Sequence, residues 1–155
     1  MRGRLAWTLA SAAAIVVIAA ALGLLANAVS GAGISLVATR APPGRAIELN
    51  EARGLLEGDA ARFIDARPYD DFLAGHIAGA VSVPLAERAG KLDQLRRELP
   101  RTQPLVVYCD GGDCGSASEL SAWLAGNGWR DVRVLVDGYP VWAAAGFPIA
   151  RGEGP

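Results

Sequence analysis

The chain has 155 residues and a formal net charge of −1, which leaves room for one domain plus an appendage and no bulk charge to draw it to nucleic acid or an anionic membrane surface. Lys91 is the only lysine among 15 basic residues, a bias that reads as genome composition. The two cysteines, Cys109 and Cys114, share one loop, which excludes a disulfide scaffold and points to chemistry at a site.

The appendage comes first. Arg2 and Arg4 precede an apolar run from Leu5 to Leu25 without a charged residue. About 20 such residues suffice to cross a bilayer core as a helix. A cleaved signal peptide is the competing reading, because Ala26-Asn27-Ala28 resembles a small-residue cleavage site. The run is longer than the roughly 7–15 apolar residues of a signal peptide, so an uncleaved anchor over residues 1–28 is expected. Basic residues close to a span stay inside, so the N-terminus is expected in the cytoplasm and the rest of the chain outside the cytoplasmic membrane. Residues 29–45, rich in Gly, Ala and Pro, read as a tether.

Residues 46–150 read as the globular domain. Ile47-Glu48-Leu49 predicts a short strand, Asn50 a helix cap, and Gly58 the helix end. Arg62 to Asp65 predicts a second strand, and Tyr69 to Ala74 a short helix closed by Gly75. Ala80 to Val83 predicts a third strand stopped by Pro84, and Leu92, Leu95 and Leu99 share one face of the next helix. The unbroken apolar run Leu105 to Tyr108 predicts a strand buried on both faces. A glycine-rich loop follows, then a helix from about Ser116, a strand from Val132 to Val136, and a last helix around Val141 to Ala145. Strands alternating with helices imply an α/β fold: a mainly parallel five-stranded sheet with helices on both faces.

Cys109 ends the apolar strand and opens the loop Asp110-Gly111-Gly112-Asp113-Cys114-Gly115. Strand, loop and helix N-terminus are the parts that aim backbone N–H groups at one point. A cysteine there has its thiolate favoured, and the thiolate is the nucleophile. The plain alternative is a buried cysteine ending a core strand.

Several separate segments together resemble a single rhodanese domain. Phe63-Ile64-Asp65-Ala66-Arg67 is similar to that family's strand ending in Asp-x-Arg. Gly75-His76-Ile77-Ala78-Gly79-Ala80, followed by Pro84, is similar to its Gly-His-Ile-x-Gly-Ala segment. Val107-Tyr108-Cys109 opens the loop, and Val136 to Trp142 resembles the closing Gly-Gly-x-x-x-Trp stretch, with Asp137 in place of the first glycine. The resemblance implies a sulfurtransferase in which Cys109 takes sulfane sulfur as a persulfide and passes it to a thiol or other nucleophilic acceptor. No cofactor is implied beyond that covalent intermediate.

The loop departs from the family's usual basic form. Asp110 and Asp113 are its only charged residues, and Cys114 stands where an Arg is usual. Each carboxylate repels an anionic donor by about 1 kcal/mol if solvated, so thiosulfate is expected to be a poor donor. Phosphatases and arsenate reductases of this fold need a loop Arg, and none lies between Asp110 and Ser118. The Asp-Gly-Gly-Asp-Cys form resembles a bacterial membrane-anchored subgroup with two loop cysteines.

Cys114 is a candidate resolving thiol, with simple packing as the alternative. Two thiols with His76 as a third ligand are too few and too loosely spaced for zinc, so no metal is expected. Asp65, Arg67, His76 and Trp142 are expected as structural support, with Trp142 roofing the site and Phe147 in the core. The other functions compatible with these residues are a thiol–disulfide switch between Cys109 and Cys114 and a non-catalytic binding module. The expected partners are a sulfane-sulfur donor and a thiol acceptor, small molecule or protein, together with the membrane.

Overall fold

The computed structural model describes residues 14–19, 21–22, 44–112 and 115–154. The chain divides into two units, Met1–Thr39 and Arg40–Pro155. In the first, residues 14–19 and 21–22 are helical with exposed side chains. Among the described residues no helix is long and apolar enough to cross a membrane. Most of the Leu5 to Leu25 run and nearly all of the tether lie outside the described residues.

The second unit is built on a five-stranded, all-parallel sheet in the order β1-β6-β5-β2-β4. The strands are β1 (Arg45–Ile47), β2 (Arg62–Asp65), β4 (Val81–Ser82), β5 (Leu105–Tyr108) and β6 (Val132–Leu135). Two further strands, β3 (His76–Ile77) and β7 (Ile149–Ala150), pair antiparallel in a small second sheet. The helices are α1 (Leu49–Glu57), α2 (Tyr69–Ala74), α3 (Arg88–Glu98), α4 (Gly115–Gly126) and α5 (Gly138–Ala144).

The central strand β5 is buried along its whole length, and side chains of a strand alternate between its faces. Leu105, Val107 and the following Cys109 join one core with Ile64, Leu95, Leu99, Leu120 and Leu124. Val106 and Tyr108 join the other core with Ile47, Ala52, Phe63, Phe72 and Trp142. Helices α3 and α4 therefore cover one face and α1, α2 and α5 the other. Full burial of a large apolar side chain contributes about 1.5–3 kcal/mol, so these two cores fix where β5 ends, and with it the position of Cys109.

Several local expectations shift. The first strand lies at Arg45–Ile47 rather than Ile47 to Leu49, because Ile47 pairs with Leu135 and the chain turns at Glu48. Helix α1 begins at Leu49, so Asn50 lies inside it and does not cap it; Glu48 holds the cap position without a side-chain hydrogen bond. Strand β4 shortens to Val81–Ser82, though the Val83 N–H still donates to the Asp65 carbonyl at 2.9 Å. Helix α5 starts at Gly138, three residues earlier than expected, with Pro140 in its first turn, where a missing N–H costs nothing.

Candidate active site

Cys109 follows the last residue of β5 and is 2% exposed. Beyond it Gly111 and Gly112 take φ of +88° and +63°, the left-handed region that glycine enters without penalty. These two residues turn the chain from the strand toward the N-terminus of α4 at Gly115. Cys109 is disulfide-bonded in this structure. Asp113 and Cys114 lie outside the described residues.

The base of the loop rests on the turn between β6 and α5. The Tyr139 N–H donates to the Cys109 carbonyl at 2.7 Å. Gly138, at φ +60°, has no room for a Cβ, which would strike that same carbonyl and lie 2.8 Å from the Gly111 nitrogen. On the other side, a Cβ at Gly111 would strike the Asp137 carbonyl. Asp137 itself has φ 58°; this is the position where the resemblance called for glycine, and Asp is among the few side chains that enter the left-handed region. The two segments thus meet backbone to backbone.

Arg67 ties β2 to this assembly. Its guanidinium forks onto the Asp65 carboxylate, Nε to Oδ1 at 3.0 Å and Nη2 to Oδ2 at 2.7 Å. Nη2 also donates to the Gly75 carbonyl at 2.7 Å, and Nη1 lies 3.7 Å from Oδ1 of exposed Asp110 in the loop. The guanidinium carbon sits 4.1 Å from the centroid of the Tyr139 ring. Asp65 is wholly buried and Arg67 nearly so. Burial works against the charge on Arg67, but the hydrogen bonds and charge of Asp65 outweigh it and raise the Arg67 pKa. One guanidinium therefore faces two carboxylates, and the group keeps a net negative charge.

Tyr108 locks the same corner from below. Its hydroxyl accepts from the Ile77 N–H at 3.1 Å. Burial, then the charge and hydrogen bond of Asp65, push its pKa far above the usual phenol value, so it stays neutral.

His76 is wholly buried, with its ring stacked on Phe72 at 3.7 Å between centroids. Nδ1 donates to the Phe72 carbonyl at 2.8 Å, which leaves Nε2 as the acceptor nitrogen. Phe72 belongs to the core across the sheet from the Cys109 side chain. Trp142, expected to roof the site, has no exposed surface; it packs on Phe63 and Phe147 in that second core and donates from Nε1 to the Pro148 carbonyl at 3.0 Å. Among the described residues no three His, Cys, Asp or Glu side chains are grouped as metal ligands would be.

A groove of about 620 Å3 opens beside the loop. Ala66, Pro68, Tyr69, Pro84 and Leu85 line it, and Ser116 closes it from the first turn of α4. It adjoins the cysteine strand through the Ala66 N–H, which donates to the Tyr108 carbonyl at 3.0 Å. Sequence reasoning missed this groove and the parts played by Tyr108 and Tyr139. Only the adjacency of Gly138 and Tyr139 hinted at a tight approach.

A family model described as a rhodanese-like domain matches residues 48–145. The chain belongs to that family. It is 34% identical over 110 residues to the HTH-type transcriptional regulator Rv0324 of Mycobacterium tuberculosis, covering 71% of this chain but 46% of the regulator. It is 32% identical over 120 residues to the thiosulfate sulfurtransferase GlpE of Pseudomonas putida, covering 74% of this chain and 93% of that protein. The crystal structure of a thiosulfate sulfurtransferase from Pseudomonas aeruginosa superposes with a TM-score of 0.57 at 25% identity, over 70% of this chain and 20% of the other. All three alignments leave part of this chain unmatched, and Cys109 lies within residues 48–145, which the family model matches.

Proposed function

We propose that the protein is a membrane-anchored sulfurtransferase whose nucleophile is Cys109. The observation that carries this reading is the placement of Cys109 at the carboxyl end of the central parallel strand, where open α/β sheets build their sites. In the reaction the Cys109 thiolate attacks the outer sulfur of a sulfane donor, the donor's S–S bond breaks, and its remaining part leaves with the electron pair. The thiolate of an acceptor then attacks the outer sulfur of the persulfide and restores the Cys109 thiolate. Backbone N–H groups from Asp110 to Gly115 stabilise the charge on sulfur. Because Cys109 is disulfide-bonded here, a thiol must first reduce it.

Relatives named thiosulfate sulfurtransferases make thiosulfate the first donor to try. The net negative charge of Asp65, Arg67 and Asp110 slows anionic donors, so thiosulfate is a poor donor, and polysulfide is supplied at high ionic strength, where that repulsion is screened. The reduced chain should transfer sulfur from polysulfide to dithiothreitol, and Cys109→Ser should lose that turnover. Undiminished turnover in the variant overturns the assignment.

The disulfide at Cys109 favours one second reading, a thiol–disulfide switch with Cys114 as the resolving thiol. Treatment with oxidised glutathione followed by thiol trapping separates the two. Loss of both thiols without added glutathione supports the switch, and stable glutathione on Cys109 with Cys114 free opposes it.

The anchor is the residue 5–25 run, and the domain lies on the outer side of the cytoplasmic membrane. An active C-terminal alkaline-phosphatase fusion supports that orientation, and an inactive one contradicts it.

A further inference from the structure

The groove beside the loop carries unbalanced charge. Its lining includes Asp70 and Glu87, both exposed, and one cation, Arg88. Arg88 is already engaged: Nη1 donates to the Leu85 carbonyl at 2.6 Å and Nη2 pairs with Glu119 at 3.1 Å. Among the described residues neither Asp70 nor Glu87 has an ion-pair partner. Asp110, the residue after Cys109, adds a third exposed carboxylate at the same end of the sheet, and Arg67 beside it is already bound to Asp65. The floor of the groove is apolar, made by Ala66, Pro68, Tyr69, Pro84 and Leu85.

Resting on the sulfurtransferase reading above, we propose that this groove is the acceptor subsite and that it selects a small thiol bearing a positive charge. The volume of about 620 Å3 falls in the range of small-molecule sites, about 300–1,000 Å3. The apolar floor takes the carbon body of the acceptor. Asp70 and Glu87 face its ammonium or guanidinium group and disfavour a carboxylate at the same place. The thiolate then attacks the outer persulfide sulfur on Cys109; the S–S bond to Cys109 breaks, and its electron pair returns to Cys109 as a thiolate. No outside oxidant or reductant enters this step.

The test uses the full chain in mild detergent, reduced with dithiothreitol, freed of it and loaded with inorganic polysulfide. The rate of sulfur loss from Cys109 is measured with cysteamine, β-mercaptoethanol and 3-mercaptopropionate, each divided by its rate with a free low-molecular persulfide. At low salt the corrected rate for cysteamine should exceed that for 3-mercaptopropionate by about tenfold or more. The ratio should shrink toward unity in high salt, where the screening length falls to about 3 Å, and in Asp70→Asn/Glu87→Gln. A ratio near unity at low salt, or one unchanged in the double variant, overturns the inference and leaves the sulfurtransferase reading standing. If no persulfide forms on Cys109 at all, the sulfurtransferase reading fails and takes this inference with it.

Discussion

The backbone N–H of Tyr139 holds the carbonyl of Cys109 at 2.7 Å. This bond joins the cysteine loop to the turn that opens α5, thirty residues later in the chain. The peptide that carries the nucleophile is thus fixed from outside its own loop, and the Gly138 backbone packs against the same carbonyl.

That contact makes Gly138→Ala a sharp probe. A residue other than glycine in the left-handed region costs about 1–3 kcal/mol, and here the new Cβ must also push the Cys109 carbonyl aside. The variant should fold with a lowered melting temperature. Its sulfur-transfer rate should fall by about a hundredfold if the loop shifts by about 1 Å. Wild-type kinetics in Gly138→Ala would show that the contact does not position Cys109.

Tyr108→Phe tests the corner below the loop. The change removes the acceptor of the buried Ile77 N–H. An orphaned buried polar group costs about 1–3 kcal/mol, and each kcal/mol lowers the melting temperature of a domain this size by about 4–8 °C. Thermal denaturation monitored by circular dichroism reads the effect, and an unchanged melting temperature contradicts it.

Arg67→Lys keeps the charge and loses the geometry. A lysine cannot fork onto Asp65, reach the Gly75 carbonyl and lie over the Tyr139 ring together. Loss of one buried charge-assisted hydrogen bond should cost about 1.5–3 kcal/mol. Chemical denaturation should show a lower midpoint with an unchanged slope.

The Asp131–Arg133 pair, 2.7 Å apart at the start of β6, sets a small acid dependence. The hydrogen bond from Arg133 holds the Asp131 carboxyl below its usual range. A folded value below the unfolded one gives stability that is present above about pH 4 and lost as pH falls through the folded value. With the Asp131 side chain 41% exposed, solvent screening keeps the contribution to about 0.5 kcal/mol or less. Asp131→Asn should flatten the stability profile slightly below pH 4 and leave its slope at neutral pH unchanged.

Much of the framework was legible because its signals are local. The apolar run Leu105 to Tyr108 has no polar residue on either face, and only a strand buried on both sides explains that. The abrupt change at Cys109 to glycines marked the loop for the same reason. Strands β3 and β7 have two residues each, too few for any period to register. Asn50 had the chemistry of a cap, but with Ile47 paired to Leu135 the helix already starts at Leu49 and takes Asn50 inside it. Asp65 and Arg67 stand together in one motif, but the Gly75, Asp110 and Tyr139 partners of Arg67 and the Tyr139 partner of Cys109 come from separate segments that meet only on folding, so no spacing in the sequence announces them. Asp110 and Asp113 are the only charged residues of the loop in the sequence, and the structure sets Arg67, from outside the loop, beside Asp110.

Intact-mass spectrometry of the reduced chain after brief exposure to inorganic polysulfide reads sulfur on Cys109 itself. The native chain and Cys114→Ala should each gain the mass of one sulfur atom, located by peptide mapping at Cys109, and should lose it to an added thiol. Cys109→Ser should gain none. Retention of the added sulfur in Cys109→Ser, or its absence from the native chain, would show that Cys109 is not the sulfur carrier.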